Sequence, residues 1–264
     1  MKPDKTGFPQ ELEVKYFIVD DNPGQIAEQI SGLDHINQYE LANPQSIEIH
    51  DIYLDTADEI FRQNRLALRL RKENGQYFIT VKGKTKVREW GGIERLEMEN
   101  SWSAEAFQKM LSDLKAYGVH LQVNPEWLKD DNPLESLQNW GLQIIQDRHT
   151  VRLTHQVKFQ NENIAELAID KVTYGENNRN LVHHEIEIEA KNPQEVSAIH
   201  EIQRELQSRF GDSLKLAVFS KLMLGMVLLD LPENPQFFDL QKPVTHLLPA
   251  AYEWIEQRLK GMHE

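Results

Sequence analysis

Hydrophobic and polar residues alternate along much of the chain, which is the pattern of strands that bury one face. In residues 11–19, two glutamates and a lysine alternate with apolar side chains. The alternation predicts eight strands, at residues 11–19, 47–55, 66–73, 76–84, 93–99, 144–154, 164–172 and 183–190. Because so many segments share one period, the chain is predicted to build a large sheet or a barrel.

A tight hairpin is predicted between the strands at 66–73 and 76–84. The connecting segment contains Asn74 and Gly75, a pair that tolerates the positive φ angles of a two-residue turn. These two strands are therefore predicted to be antiparallel.

Helical spacing of apolar residues predicts helices at residues 23–33, 103–118, 192–211 and 244–260. Ser103 is placed to cap the second helix, and glycines stand at the ends of the second and third. The last helix follows the breaker sequence "PENP" at residues 232–235. We therefore expect it to be a separate helix on a short linker.

Composition limits the location and the chemistry. The 264 residues are 40% hydrophobic, and the N-terminal ten residues contain no apolar segment of the kind a signal peptide has. No apolar run approaches eighteen residues, so we expect a cytoplasmic protein without a membrane partner. The absence of cysteine excludes disulfides and thiolate sites. A net charge of -13 argues against nucleic acid as a general partner.

The polar faces of the predicted strands are almost entirely ionic. Acidic positions are Glu11, Glu13, Glu97, Glu99, Asp170, Glu185, Glu187 and Glu189, and basic positions are Lys15, Arg69, Arg71, Lys82, Arg95, Arg148 and Arg152. Alternation alone is typical of a sheet with one face in water. However, like charges on neighbouring strands repel, so the grouping into acidic and basic pairs is poor for a solvated face. It suits a closed barrel whose charged faces point inward, where carboxylates hold a divalent cation and basic pairs hold its anionic ligand.

The ordered set of these motifs resembles a known family. "ELEVK" at 11–15 is similar to the ExExK signature of the CYTH superfamily, the triphosphate tunnel metalloenzymes. The similarity continues through "YLDT" (53–56), "LRLRKENGQYFITVKG" (68–83), "RLEME" (95–99), Arg148, Asp170, "EIEIE" (185–189) and "SK" (220–221). It covers about residues 10 to 228 and is greatest for the tunnel domain of bacterial inorganic triphosphatases. The resemblance implies an α+β fold in which an eight-stranded antiparallel barrel is surrounded by helices.

The resemblance also implies roles for individual residues. Mg²⁺ or Mn²⁺ would be bound by Glu11, Glu13, Glu185 and Glu187, with Asp170 and Glu189 in the same acidic set. Phosphate oxygens would be held by Lys15, Arg69, Arg71, Lys82, Arg95, Arg148, Arg152 and Lys221. Catalysis would fall to Glu97, Glu99 and Lys82. Whether Glu189 binds the metal or only tunes its neighbours stays open.

The implied activity is metal-dependent hydrolysis of tripolyphosphate, with water attacking the terminal phosphorus and a small-molecule triphosphate as the partner. Thiamine triphosphatase and class IV adenylate cyclase are alternatives, because the same scaffold serves both. A non-catalytic polyphosphate-binding module is a further alternative, which the intact glutamate pairs disfavour.

The C-terminal segment is predicted to lie outside the tunnel domain. Relatives often carry a helical CHAD domain there, and the residues that follow Lys221 are too few to form one. We expect a tunnel domain over residues 1–230 and a linker with a helix over 231–264. That helix would cover the apolar exterior of the barrel or pack on a second subunit in a homodimer. His149, His183 and His184 are expected to be ordinary strand residues.

Overall fold

The computed structural model describes residues 10–121, 128–129, 131–176, 179–192, 194–239 and 245–261. Its strands are β1 Gln10–Ile18, β2 His35–Ile36, β3 Tyr39–Asp55, β4 Ala67–Glu73, β5 Gln76–Val87, β6 Ile93–Ser101, β7 Gln143–Phe159, β8 Glu162–Glu176, β9 Arg179–Ala190, β10 Leu214–Leu216, β11 Phe238–Asp239 and β12 Thr245–Leu247. Its α-helices are α1 Pro23–Ser31, α2 Ile60–Gln63, α3 Ala104–Leu114, α4 Pro133–Asn139, α5 Val196–Phe210, α6 Lys221–Leu229 and α7 Pro249–Gly261.

Eight of these strands form a closed antiparallel barrel. The order around the sheet is β1, β6, β5, β4, β3, β7, β8 and β9, and β9 pairs with β1 again. The short strands β10, β12 and β11 extend this sheet, and β2 pairs with β3. The α+β barrel with surrounding helices is therefore confirmed.

Local signals in the sequence are also confirmed. β4 and β5 pair in the register that places Glu73 opposite Gln76, and the turn residues Asn74 and Gly75 have φ angles of 49° and 79°. Ser103 caps α3, since its hydroxyl accepts a hydrogen bond from the backbone N–H of Ala106 at 3.0 Å. These contacts are local in sequence, so residue type alone could predict them.

Two parts of the strand and helix prediction were wrong. β3 begins at Tyr39 rather than at residue 47. The prediction missed its first half because that half contains Asn43 and Pro44, residues that usually interrupt a strand. The predicted helix over 244–260 begins only at Pro249, because Thr245–Leu247 forms β12, which pairs in parallel with β9. Residue 244 lies outside the described residues.

The chain divides into two compact units. One comprises Met1–Gln10, Ile49–Lys86 and Arg95–Asp147, and the other comprises Glu11–Glu48, Val87–Glu94 and Arg148–Glu264. In the first unit, α3 packs on the apolar faces of β4 and β5 around Phe107. In the second unit, α1 and α5 cover the apolar face of β1 around Val14. These three helices therefore cover one face of the strands in their units, and the charged residues described below lie on the other face.

In the part of the chain that the structure describes, no helix has the length and apolar character needed to cross a membrane.

Candidate metal and phosphate site

Three buried carboxylates lie together on the polar face of β8 and β9. Asp170 and Glu185 are directly opposite each other in the antiparallel register, and Glu187 lies two residues further along the same face. Oxygen atoms of the three side chains all lie within 4.8 Å of one another. Asp170 and Glu185 have no exposed surface and Glu187 is buried. We refer to these three residues as the carboxylate cluster.

Two basic side chains reach the carboxylate cluster from neighbouring strands. Lys15 of β1 is directly opposite Glu187 of β9, and its Nζ lies 2.7 Å from Glu187 Oε1. Arg152 of β7 is directly opposite Asp170 and donates to both of its carboxylate oxygens, at 2.8 and 2.7 Å. Its Nη2 also lies 2.5 Å from Glu187 Oε2. Strand register therefore places Glu187 opposite Lys15 and Asp170 opposite Arg152.

A third basic side chain comes from α6. Lys221 is the first residue of that helix, and the preceding Ser220 caps it by accepting a hydrogen bond from Met223 N at 3.2 Å. The Lys221 ammonium lies 3.0 Å from Asp170 Oδ2 and 2.7 Å from Glu187 Oε1, and it also contacts the remaining carboxylate of the cluster. The start of α6 thus positions Lys221, and the Ser220 hydroxyl is engaged in the cap.

The mutual contacts keep these groups ionised. Burial alone would raise the pKa of Glu185, but Lys221 and Lys15 outweigh it and lower the pKa to about 2. The pKa of Glu187 is lowered in the same way, by Lys15 and then Lys221. Burial alone would lower the pKa of Lys15, yet Glu187 and Glu185 raise it. All three groups are therefore charged near neutral pH.

The donor set fits a divalent metal ion. Mg²⁺ and Mn²⁺ prefer carboxylate oxygens, and the carboxylate cluster supplies three buried ones within a small volume. Glu13 of β1 lies directly opposite Glu189 of β9, and Glu13 acts electrostatically on Lys15. Glu13 is buried and Glu11 is half-buried at the start of β1. The predicted acidic set is thus distributed over β1, β8 and β9, with Asp170, Glu185 and Glu187 in close contact.

A second charged cluster lies in the other unit and is built around two arginines. Asp51 of β3 is directly opposite Arg71 of β4, and the arginine donates to both carboxylate oxygens, at 2.8 and 3.1 Å. Arg69 Nε lies 3.7 Å from Asp51 Oδ1. Asp51 is buried, and its carboxylate contacts the guanidinium groups of both arginines. We call Asp51, Arg69, Arg71, Thr80, Lys82, Glu97 and Glu99 the arginine–glutamate cluster.

The glutamates of β6 complete this second cluster. Arg69 Nη2 lies 3.1 Å from Glu99 Oε2, and the Thr80 hydroxyl donates to the same oxygen at 2.8 Å. Lys82 Nζ lies 2.9 Å from Glu97 Oε2. Burial would raise the pKa of Glu99, but Arg69 and the Thr80 hydrogen bond lower it. Glu99 is therefore a carboxylate at neutral pH, able to accept a hydrogen bond.

The structure brings together most of the residues that the sequence selects. Lys15, Arg152 and Lys221 meet the carboxylate cluster, whereas Arg69, Arg71, Lys82, Glu97 and Glu99 form the arginine–glutamate cluster. Arg95 and Arg148 are also buried. Arg148 shares its strand face with Arg152, and Arg95 shares its face with Glu97. The roles given to these residues remain predictions.

Sequence reasoning missed two members of the second cluster. Asp51 was not selected, although it shares a strand face with Tyr53 and Asp55 in the prediction for residues 47–55. Thr80 is predicted on the polar face of its strand with Lys82, but it is given no site role because it carries no charge. Alternation along β3 was the one signal that could have identified Asp51.

Asp55 of the "YLDT" motif forms hydrogen bonds to the backbone of the turn that follows it. Its carboxylate accepts hydrogen bonds from the backbone N–H groups of Thr56, Phe61 and Arg62, at 2.8, 2.9 and 3.0 Å. It therefore stabilises the turn into α2 by satisfying amides that the short helix leaves unpaired.

Beyond the carboxylate cluster the same strand face becomes apolar. Phe17 continues the face of Lys15, and Val172 and Tyr174 continue that of Asp170. These side chains pack against α6 and α7 in one buried core. The Tyr174 hydroxyl donates to the backbone carbonyl of Lys221 at 3.0 Å. The apolar core thus fixes the helix that carries Lys221.

Comparison with known proteins identifies the family to which the chain belongs. A family model of the CYTH domain matches residues 9–216. The chain belongs to the CYTH domain family. CYTH domain proteins are typically metal-dependent triphosphatases or cyclases, and the triphosphate tunnel enzymes among them use divalent metal ions. The match includes both clusters except for Lys221.

Solved structures with the CYTH barrel resemble this chain at low sequence identity. HpAC1 from Hippeastrum, a proposed adenylyl cyclase described as having a dominant triphosphatase activity, is 17% identical, with 82% of this chain and 95% of that chain covered and a TM-score of 0.51. A Pyrococcus horikoshii OT3 protein is 22% identical, with 83% and 98% covered and a TM-score of 0.47. The RNA triphosphatase domain of the mimivirus capping enzyme is 12% identical, with 77% and 89% covered and a TM-score of 0.39. A search of curated proteins found no match.

Proposed function

We propose that this CYTH domain protein hydrolyses inorganic tripolyphosphate in a reaction that depends on Mg²⁺ or Mn²⁺. The observation that carries the proposal is the carboxylate cluster, whose three buried acids are each held in contact with a base. Carboxylates with adjacent Lys and Arg side chains supply what a metal-bound polyphosphate requires, which is oxygen ligands for the cation and donors for phosphate oxygens.

In this proposal the acids bind the cation and the bases bind the phosphates. The acidic set is Glu11, Glu13, Asp170, Glu185, Glu187 and Glu189, and the basic set is Lys15, Arg69, Arg71, Lys82, Arg95, Arg148, Arg152 and Lys221. When bound, the cation would supply positive charge that offsets the charge of the phosphate oxygens. Phosphoryl transfer needs mainly positioning and charge neutralisation, so no covalent nucleophile is required.

Glu97 and Glu99 are proposed to orient the attacking water, with Lys82 beside them. Arg69 and Thr80 keep the Glu99 carboxylate ionised, so it can accept a hydrogen bond from the attacking water. The water oxygen would form a bond to the terminal phosphorus and lose a proton to Glu99, while the bridging P–O bond breaks and its electron pair stays on the leaving pyrophosphate oxygen. The products are then orthophosphate and pyrophosphate.

A substrate panel tests the proposal. Purified protein with Mg²⁺ or Mn²⁺ should release phosphate from tripolyphosphate faster than from ATP, thiamine triphosphate or pyrophosphate. Glu13→Gln should abolish release by removing a proposed metal ligand. Glu201→Gln on α5, whose carboxylate accepts a hydrogen bond from Tyr39, should leave the rate unchanged. Absence of turnover with every triphosphate would refute the proposal, and formation of cyclic AMP from ATP would assign the protein to the cyclases instead.

A further inference from the structure

A chain of three buried side chains joins α7 to the carboxylate cluster. His183 lies on β9 two residues before Glu185 and on the same face. Its Nε2 lies 3.1 Å from Glu185 Oε2, and its Nδ1 lies 2.9 Å from the Tyr252 hydroxyl. His183 is 1% exposed, Tyr252 is 2% exposed and Glu185 is not exposed at all. The contact is therefore protected from water over its whole length.

The chemistry of the three groups fixes the direction of the hydrogen bonds. An ionised carboxylate can only accept a hydrogen bond, so Nε2 of His183 carries a proton and donates to Glu185. In the neutral ring Nδ1 is then the acceptor, and the Tyr252 hydroxyl is the donor. Loss of that hydroxyl would leave Nδ1 without its donor. The hydroxyl of Tyr252 thus holds the ring at Nδ1 while Nε2–H donates to the carboxylate.

The histidine ring is also held by packing. Phe17 contacts it edge-on, with ring centroids 4.8 Å apart and an interplanar angle of 85°. Phe17 and Tyr252 lie 5.8 Å apart between ring centroids. Tyr252 shares the buried face of α7 with Ile255 and Leu259. The ring of His183 therefore has one orientation, and α7 delivers the hydroxyl to it.

The two oxygens of Glu185 have different partners. Oε1 faces the ammonium groups of Lys221 and Lys15, whereas Oε2 faces His183. Rotation of the carboxylate would break contacts on both sides. His183 thereby fixes the plane in which Glu185 presents its oxygens to the rest of the carboxylate cluster.

We propose that Tyr252 and His183 are positioning residues that orient Glu185 and so set the divalent-cation affinity of the carboxylate cluster. The inference rests on the proposed function, since it assigns Glu185 to the metal site. Outer hydrogen-bond partners of metal ligands typically change metal affinity by about 10- to 100-fold. Residues 245–261 would then act on the site through this contact, although they lie outside the matched CYTH segment.

Substitutions that remove one hydrogen bond at a time test the proposal. Tyr252→Phe removes the hydroxyl and keeps the ring. His183→Gln retains an amide donor near the Nε2 position and loses the acceptor for Tyr252, whereas His183→Asn does the reverse. Tyr39→Phe is the matched control, since it removes the hydroxyl of a buried tyrosine, which donates to Glu201.

Mn²⁺ affinity measured by calorimetry is the first readout. We expect Tyr252→Phe to weaken binding about 10-fold and Tyr39→Phe to leave it unchanged. In the His183→Gln background, Tyr252→Phe should cause no further loss. His183→Asn should bind more weakly than His183→Gln, a comparison that remains available if Tyr252→Phe does not fold. Equal affinities for Tyr252→Phe and Tyr39→Phe, or the reverse order of the two His183 variants, would overturn the proposal.

The second readout is the hydrogen bonding of His183, obtained from ¹⁵N NMR of the imidazole nitrogens in metal-free protein. The His183 signals are assigned by their loss in His183→Gln. We expect the Nε2–H tautomer in both the wild type and Tyr252→Phe, with a changed Nδ1 chemical shift in Tyr252→Phe because Nδ1 loses its hydrogen-bond donor. An unchanged Nδ1 chemical shift in Tyr252→Phe would overturn the positioning role. This readout needs neither metal nor substrate, so it separates failure of the inference from a wild type that does not hydrolyse tripolyphosphate.

Discussion

Lys15 and Glu187 face each other directly across β1 and β9, and their charged atoms lie 2.7 Å apart in the protein interior. Lys15 is 1% exposed and Glu187 is 9% exposed. The pair is therefore shielded from bulk water. The three acids of the carboxylate cluster are balanced by three bases, which are Lys15, Arg152 and Lys221. Removal of Lys15 should leave one buried negative charge of the cluster uncompensated.

Lys15→Met should consequently destabilise the protein by about 3–5 kcal/mol. The matched control is Lys191→Met, because Lys191 pairs with Glu166 at 3.2 Å on the surface, where both side chains are substantially exposed. That variant should lose about 0–1 kcal/mol. Urea unfolding of the two variants measures the difference. Equal losses would show that burial of the Lys15 charge has been misjudged.

Acid should weaken the fold over a defined range. The pKa of Glu185 falls from 4.5 to about 2 on folding, so its contribution is complete above pH 4.5 and disappears as the pH falls from 4.5 through 2. That contribution is on the order of 3 kcal/mol. In metal-free protein, the free energy of unfolding should fall steeply over this range. Glu185→Gln should be less stable at pH 7 and should show a flatter acid limb, and an unchanged limb would contradict the assignment.

Ser220 should matter for stability and not for turnover. Its hydroxyl caps α6 by accepting from Met223 N, so Ser220→Ala should cost about 1 kcal/mol. Because no covalent serine intermediate is required, kcat for tripolyphosphate should stay within a few-fold of wild type when the variant is assayed below its unfolding temperature. Thermal unfolding and steady-state kinetics measure the two effects. A loss of kcat above 100-fold in folded protein would instead support a nucleophilic serine.

Glu99 should affect the chemical step. Glu99→Gln removes the carboxylate that Arg69 and Thr80 keep ionised. Loss of a group that orients or deprotonates water typically lowers kcat by about 100-fold or more. Glu105→Gln, at an exposed position in the first turn of α3, is the matched control. Steady-state kinetics with tripolyphosphate make the comparison. Similar kcat values in the two variants would exclude Glu99 from catalysis.

The sequence predicts the barrel well because its strands have a simple period. The segment around Leu12, Glu13 and Val14 shows the two-residue alternation that separates the helix-covered face from the charged face. The Asn74 turn and the Ser103 cap depend on residues close in sequence and are predicted for the same reason. Parity alone therefore selects most of the charged residues of both clusters.

What the sequence does not predict depends on contacts between distant residues. His183 and Tyr252 are 69 positions apart, and no local pattern relates them. Asp51 meets Arg71 because of the β3–β4 register, which residue type alone does not specify. Phe17 has the parity of the charged face but packs against α6 and α7. Alternation assigns a residue to a face and cannot indicate where along that face the environment changes.

The most direct test of the central claim is ³¹P NMR of tripolyphosphate incubated with the wild-type protein and Mg²⁺ or Mn²⁺, with a parallel sample in excess EDTA. The account predicts conversion to equimolar pyrophosphate and orthophosphate with either metal and no conversion in EDTA. Tripolyphosphate that stays intact with both metals, or that is hydrolysed equally well in EDTA, would contradict it.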